Sequence, residues 1–197
     1  MDLHELADEL RAAADRRVHL AIVETMELAT ADLAARAEQN IAERLKERSR
    51  SLLKSVRHEL VEADGEIQGI VSAGGSYQGL EVPYARLQEY GGTVLPVKGK
   101  FLAIPVGPAL NSIGLAKYRS ARDAPGLVYV QSLKGQPLLV KLVKGAKGEA
   151  PRVEVWYVLR QSVTLPARRF LRDAWSSVLA ELPSRLADSA ARALAAA

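Results

Sequence analysis

Val56-Arg57-His58-Glu59-Leu60-Val61-Glu62-Ala63-Asp64-Gly65-Glu66-Ile67-Gln68-Gly69-Ile70-Val71 is the stretch at which the periodicity of the chain changes. Val56, His58 and Leu60 alternate on one side of Asp64-Gly65, and Ile67, Gly69 and Val71 alternate on the other. A spacing of two places these side chains on one face of a strand, and Asp-Gly supplies the positive φ angles of a tight hairpin turn. The stretch therefore predicts a β-hairpin over about 55–73.

The sequence before it has another rhythm. From Asp2 to Leu45 there is neither Pro nor Gly, and Ala, Leu, Glu and Arg dominate, which is strong helix composition. One apolar stripe runs Leu3, Leu6, Leu10, Ala14; a second runs Ile22, Met26, Ala29, Leu33, Ala37, Ile41, Leu45. A single helix of that length would measure about 65 Å, more than the width of a domain of this size. Either it breaks near residues 15–20 or it projects and packs on a neighbour.

After the hairpin, Ala73-Gly74-Gly75-Ser76 reads as a loop. Pro83 to Gly91 reads as a two-turn helix opened by Pro83 and closed by Gly91, with Tyr84, Leu87 and Tyr90 turned inward. Phe101–Val106 is a strand that Pro105 confines to an edge or an end. Residues 107–126 have the composition of a long loop, of the kind that is functional or disordered when unbound. Leu127–Ser132, Leu138–Val143 and Val153–Leu159 form a meander, separated by Lys-Gly-Gln-Pro and Lys-Gly-Ala-Lys-Gly-Glu turns. Pro166 opens a helix carrying Phe170, Leu171, Ala174, Trp175, Val178 and Leu179; Pro183 ends it, and 184–197 form a last Ala-rich helix. Helices before and after an antiparallel sheet of five to six strands, with a short helix inserted, define an α+β fold. The expected divisions are an N-terminal helical segment 1–48, an α+β core 49–181 and a C-terminal helical extension 182–197.

Composition bounds the function. With 197 residues and 48% hydrophobic residues the chain can build a core, but at 5% aromatic content that core is aliphatic and modest, of a kind often completed by other subunits. The absence of cysteine removes disulfides, thiolate nucleophiles and Cys-based metal sites. Met1–Glu9 is acidic where a signal peptide would be basic, and no run approaches the ~18 apolar residues of a bilayer span, so a protein made in the cytoplasm and soluble there until assembled, without membrane contact, is expected. Residues 1–60 carry 10 basic and 12 acidic residues, whereas 98–172 carry 14 basic and 3 acidic. Such a basic segment is a solvated surface or a contact for DNA or an acidic partner.

Catalytic patterns are missing. No phosphate-binding, dinucleotide-binding or nucleophile-elbow motif occurs, and Gly74-Gly75-Ser76 has the wrong spacing for the last. His4, His19 and His58 are scattered, and His58-Glu59-Leu60-Val61-Glu62 has Glu62 where a zinc helix needs its second His. Trp156, Tyr157, Phe170 and Trp175 read as core rather than as a stacking platform for single strands. No catalytic, metal or cofactor site is expected.

Three blocks in order carry a resemblance: Tyr84-Ala85-Arg86-Leu87-Gln88-Glu89-Tyr90-Gly91-Gly92-Thr93-Val94; Pro96-Val97-Lys98-Gly99-Lys100-Phe101-Leu102-Ala103-Ile104-Pro105; and Tyr157-Val158-Leu159-Arg160-Gln161-Ser162-Val163-Thr164-Leu165-Pro166-Ala167-Arg168-Arg169-Phe170-Leu171. Together they resemble the tail-completion and virion-morphogenesis proteins of tailed phages and Mu-like prophages, over about 50–171. That family reads Tyr-Ala-Arg, acidic or Gln, aromatic-Gly-Gly-Thr, Pro-Lys-x-Lys and Leu-Ala-Ile-Pro, then Ser-Val-x-Ile-Pro-Ala-Arg-Pro-Phe-Leu. Arg50-Ser51-Leu52-Leu53-Lys54-Ser55 is similar to its Thr-Gly-x-Leu-x-x-Ser segment, without the Gly. Arg169 stands where the family has Pro, and 107–126 reads as an insertion.

The resemblance implies a non-enzymatic virion protein that forms a homo-oligomeric ring at the head-tail junction (neck, or connector). Such rings are hexameric in most relatives and dodecameric in some, between a portal or connector protein and a tail tube or tail terminator protein. Edge strands pair readily with another chain, so Leu102, Ile104, Val106, Tyr90 and Arg168 are expected at the subunit interface. Lys98, Lys100, Lys117, Arg119 and Arg122 are expected to face an acidic partner or, without sequence preference, DNA passing through the lumen. The alternative is a cytoplasmic nucleic-acid-binding module using a basic sheet surface; a hydrolase has no visible nucleophile and base.

Overall fold

The computed structural model describes residues 3–45, 50–77, 79–144 and 151–195. The fold is α+β, with a long N-terminal helix, antiparallel strands and a C-terminal helix. The chain divides into two compact units: residues 1–90 with 167–197, and the inserted residues 91–166.

In the first unit α1 spans Leu3–Arg44 without interruption. Of the two alternatives for a helix of this length, the break near 15–20 does not occur, since Arg16-Arg17 are good helix formers. The hairpin forms as predicted: β1 (Arg57–Ala63) and β2 (Glu66–Ser72) pair from Arg57↔Ser72 to Ala63↔Glu66. Asp64 and Gly65 turn the chain at φ 54° and 78°, as a type I′ turn requires.

The hairpin and α4 (Phe170–Ala195) pack on α1. The second α1 stripe is the buried one: Ala29, Leu33 and Ala37 meet Ala174 and Val178, while Ile41 meets Leu52, Val82, Ala85 and Phe170. Burying a side chain the size of Ile41 or Phe170 stabilises by about 1.5–3 kcal/mol. In the first stripe Ala14 is half-buried and Leu10 is 63% exposed; the side chains of Leu3 and Leu6 lie outside the described residues.

Several local expectations are corrected in this unit. The loop at 73–76 gives way to a second small hairpin, β3 (Gly75–Tyr77) with β4 (Leu80–Val82). Gly74 precedes it at φ 92°, where a Cβ would come within 2.3 Å of Ala85 Cβ. Its N–H donates to the Ser55 hydroxyl at 2.8 Å, and that hydroxyl donates to the Leu52 carbonyl at 2.7 Å. After the four-residue α2 (Ser51–Lys54), the inserted helix α3 runs Ala85–Tyr90, so Pro83 lies before it rather than at its first position. Gly91 ends it at φ 70°, as expected. Glu89, not Tyr90, is the buried residue of its last turn; Tyr90 is 61% exposed.

Helix α4 begins at Phe170 rather than Pro166, and it continues through Pro183 as one helix to Ala195. Pro183 lies on the exposed face, where water can satisfy the carbonyl left without an N–H partner, and packing of α4 along α1 holds the two halves in line. Phe170, Ala174 and Val178 are buried as expected, whereas Trp175 and Leu179 are about half exposed.

The second unit is built on an antiparallel sheet in the order β6-β9-β8-β7. Strands β7 (Leu127–Gln131), β8 (Pro137–Val143) and β9 (Arg152–Arg160) form the predicted meander, and β6 (Leu102–Pro105) is an edge strand. The Lys-Gly-Ala-Lys-Gly-Glu turn falls almost wholly on 145–150, outside the described residues. A further pair, β5 (Gly92–Val94) with β10 (Val163–Leu165), was not anticipated.

Register shifts between Leu139↔Tyr157 and Val140↔Val155, which leaves Trp156 as the extra residue of a bulge. A bulge of this kind turns two consecutive side chains toward one side, and Trp156 and Tyr157 indeed share a core cluster with Ala109 and Ala124. Residues 107–126 are therefore not an open loop. Short 3₁₀ turns at Gly107–Ala109 and Ala121–Asp123 and a bridge between Leu110 and Ala116 fold the segment over the two aromatic residues. Ser120 and Asp123 form a reciprocal capping box on the second turn. Among the described residues no helix is long and apolar enough to cross a membrane.

Candidate assembly surfaces

Two features of the first unit fix its surface. The first is the junction between α3 and α4. The buried Glu89 carboxylate accepts the backbone N–H groups of Leu171 and Arg172, both at 2.9 Å, and so caps the positive end of α4. Arg168 N–H donates to the Gln88 carbonyl at 2.7 Å and Arg169 N–H to the Glu89 carbonyl at 3.1 Å. Arg44 on α1 donates to the Arg168 and Arg169 carbonyls and pairs with Asp173 at 2.5 Å. Arg169 is held at φ 50°, a conformation closed to proline, so the chain enters α4 through a left-handed residue. Outside the junction, the Arg172 guanidinium lies 5.3 Å from the centre of the exposed Tyr90 ring.

The second feature is the free end of α1. Asp32, Arg36, Glu181 and Arg185 tie α1 to α4: Arg36 donates to Asp32 at 3.0 Å and to Glu181 at 3.1 Å, and Arg185 donates to Asp32 at 2.8 Å and also to Glu181. The arginine hydrogen bonds, led by Arg36, hold both carboxyls below their ordinary pKa values. The last tie is Ser189 to the Ala21 carbonyl at 3.1 Å. Six residues of α4 follow Ser189, whereas eighteen of α1 precede Ala21, so α1 extends roughly 18 Å further at 1.5 Å per residue. His19 meets Glu62 near the hairpin tip at 3.0 Å. Beyond it Glu5, Asp8, Glu9, Leu10 and Arg11 are all exposed.

In the second unit the edge strand β6 borders a groove of about 490 Å³. Its floor includes Phe101, Leu102, Leu139, Tyr157 and Leu159, and Lys98, Lys100, Arg119 and Arg122 line it with no carboxylate among them. Asp123, on the same segment, accepts the Ser120 backbone N–H at 3.0 Å. The Tyr157 hydroxyl is buried and among the described residues has no hydrogen-bond partner, and burial, with smaller contributions from Tyr118 and Asp123, raises its pKa above the usual 10. Val97 at the groove is 96% exposed. An apolar lining beside cations that have no ion pair among the described residues suits a negatively charged ligand.

Four of the five nominated basic residues thus come together, while Lys117 is exposed but does not line the groove. Leu102, Ile104 and Val106 are half-buried, and Val106 N–H prolongs the pairing with β9 by donating to the Trp156 carbonyl at 2.8 Å. Tyr90 and Arg168 belong to the first unit and are exposed. Sequence reasoning missed Val97 and the unpaired Tyr157 hydroxyl; the alternation of β9 hid the latter, since only the bulge brings Tyr157 beside Trp156. Among the described residues no group of three or more His, Asp or Glu could hold a metal ion. Searches against protein-family models, curated proteins and solved structures return no match for the chain.

Proposed function

We propose that the chain is a structural subunit of a tailed-phage-type virion that assembles into a homo-oligomeric ring at the head-tail junction, between portal or connector and tail proteins. The observation that carries the reading is the far end of α1, a helical arm of about three turns whose Leu10 is 63% exposed among the described residues. An open edge strand and the exposed Val97 in the second unit add surfaces of the kind that a repeated contact between copies buries. The three sequence blocks described above supply the place of assembly. Negative-stain imaging and mass photometry of the purified protein test it: closed rings are expected, alone or on a portal or tail, and a strict monomer at high concentration that never joins either one refutes it.

The basic groove favours a second reading, a nucleic-acid-binding module. Monomeric binding to DNA at physiological salt, falling steeply as salt rises, is its signature.

A further inference from the structure

The same chain carries a basic groove with an apolar floor and an exposed helical arm of opposite character. On α1, Glu5, Asp8 and Glu9 stand at i, i+3 and i+4 and therefore share one face of the helix, while Leu10 and Ala14 fall on the other. Over Leu3–Asp15 the arm has four carboxylates against the single Arg11. The side chain of Asp8 is 77% exposed despite its 3.6 Å pairing with Arg11, and Leu10 is 63% exposed.

We propose that the arm of one copy seats in the basic groove of the next, its acidic face against Lys98, Lys100, Arg119 and Arg122. The contact is heterologous: arm and groove are different surfaces, so each copy offers one of each, and repetition gives a ring where the rotation from copy to copy closes. Charge complementarity selects this occupant. The groove has four cations and no carboxylate in its lining, and among the described residues none of these four has an ion pair. The inference rests on the ring reading and specifies which surfaces close it.

The chain has no cysteine, so single thiols can be placed cleanly. Full-length D8C and V97C chains are mixed and treated with a short bis-maleimide, and ring mass is measured for K98E/K100E, for E5K/D8K/E9K and for the two sets combined. Circular dichroism confirms that each variant folds, as exposed positions should allow. The expected results are an 8–97 cross-link in excess of 8–8 and 97–97, at least tenfold weaker assembly for either charge reversal, and recovery when both are combined. Rings of unchanged mass with no 8–97 cross-link overturn this contact and leave the ring reading standing. A protein that stays monomeric in every preparation overturns both. Groove reversal that leaves assembly intact but releases double-stranded DNA at low salt overturns the contact in favour of DNA.

Discussion

Removing the Glu89 carboxylate tests whether the α3–α4 junction is held as described. Both carboxylate oxygens accept backbone N–H groups of the first turn of α4, at 2.9 Å each, from a side chain that is 6% exposed. Hydrogen bonds to a charged group contribute about 1.5–3 kcal/mol each, and a buried donor left without a partner costs about 1–3 kcal/mol. Part of this is offset because Glu89→Ala also removes the cost of keeping a carboxylate out of water. The net expected loss is about 3 kcal/mol for Glu89→Ala. Glu89→Gln retains one acceptor oxygen but turns an amide toward the second N–H, and about half that loss is expected. The two tryptophans allow a clean assay, since Trp175 belongs to the first unit and Trp156 to the second. Urea unfolding followed by Trp175 fluorescence in a Trp156→Phe background reports the first unit alone. A loss below about 0.5 kcal/mol for Glu89→Ala, or equal losses for the two variants, would refute the capping argument.

Other perturbations follow from the same packing. Gly69→Ala places a Cβ 2.0 Å from Thr30 Oγ1 and should lower the first unit's stability by about 1–3 kcal/mol; adding Thr30→Ala should recover part of it in a double-mutant cycle by urea titration. Arg169→Pro cannot hold φ 50° and loses the N–H bond to the Glu89 carbonyl, so a thermal midpoint lower by several degrees is expected by calorimetry. Asp32 and Glu181 have folded pKa values below their ordinary 3.8 and 4.5. Their contribution is therefore complete above those ordinary values and is lost as pH falls through the depressed folded ones. The stability of the first unit should therefore begin to fall as pH drops to the ordinary carboxylate range and go on falling below it, and Arg36→Leu should make that fall shallower in urea titrations run across the acid range.

Where a local signal and its tertiary setting agreed, the fold was legible in the sequence. Asp64-Gly65 between alternating residues gave the hairpin and its turn, and Ala29, Leu33, Ala37 and Ile41 gave the buried face of α1. Three-residue strands such as β5 and β10 have too few positions to show alternation, and Gly92 lies inside one of them. Proline misled twice: Pro166 marks the approach to α4 rather than its start, and Pro183 is accommodated inside the helix because it faces solvent. Glu89 could not be found from periodicity, which favours burying Tyr90; only a helix end arriving from 80 residues away makes a buried carboxylate favourable. The basic groove was half visible. Lys98, Lys100, Arg119 and Arg122 stood out as charges, but their meeting depends on 107–126 folding over the Trp156 bulge, and small residues such as Ala109 and Ala124 give little local sign of that.

The pairing of Gly92 with Leu165 means that the inserted unit starts and stops at hydrogen-bonded neighbours. To the helical unit that bears it, everything from 91 to 166 is an excursion whose two ends already lie side by side. Joining ends so placed costs little chain entropy, and the cost rises only slowly with the length of what lies between. The insert can therefore lengthen, shorten or be exchanged for another sheet while Glu89 and Arg44 go on clamping the helices of the first unit, a modular construction that lets one part change without refolding the other.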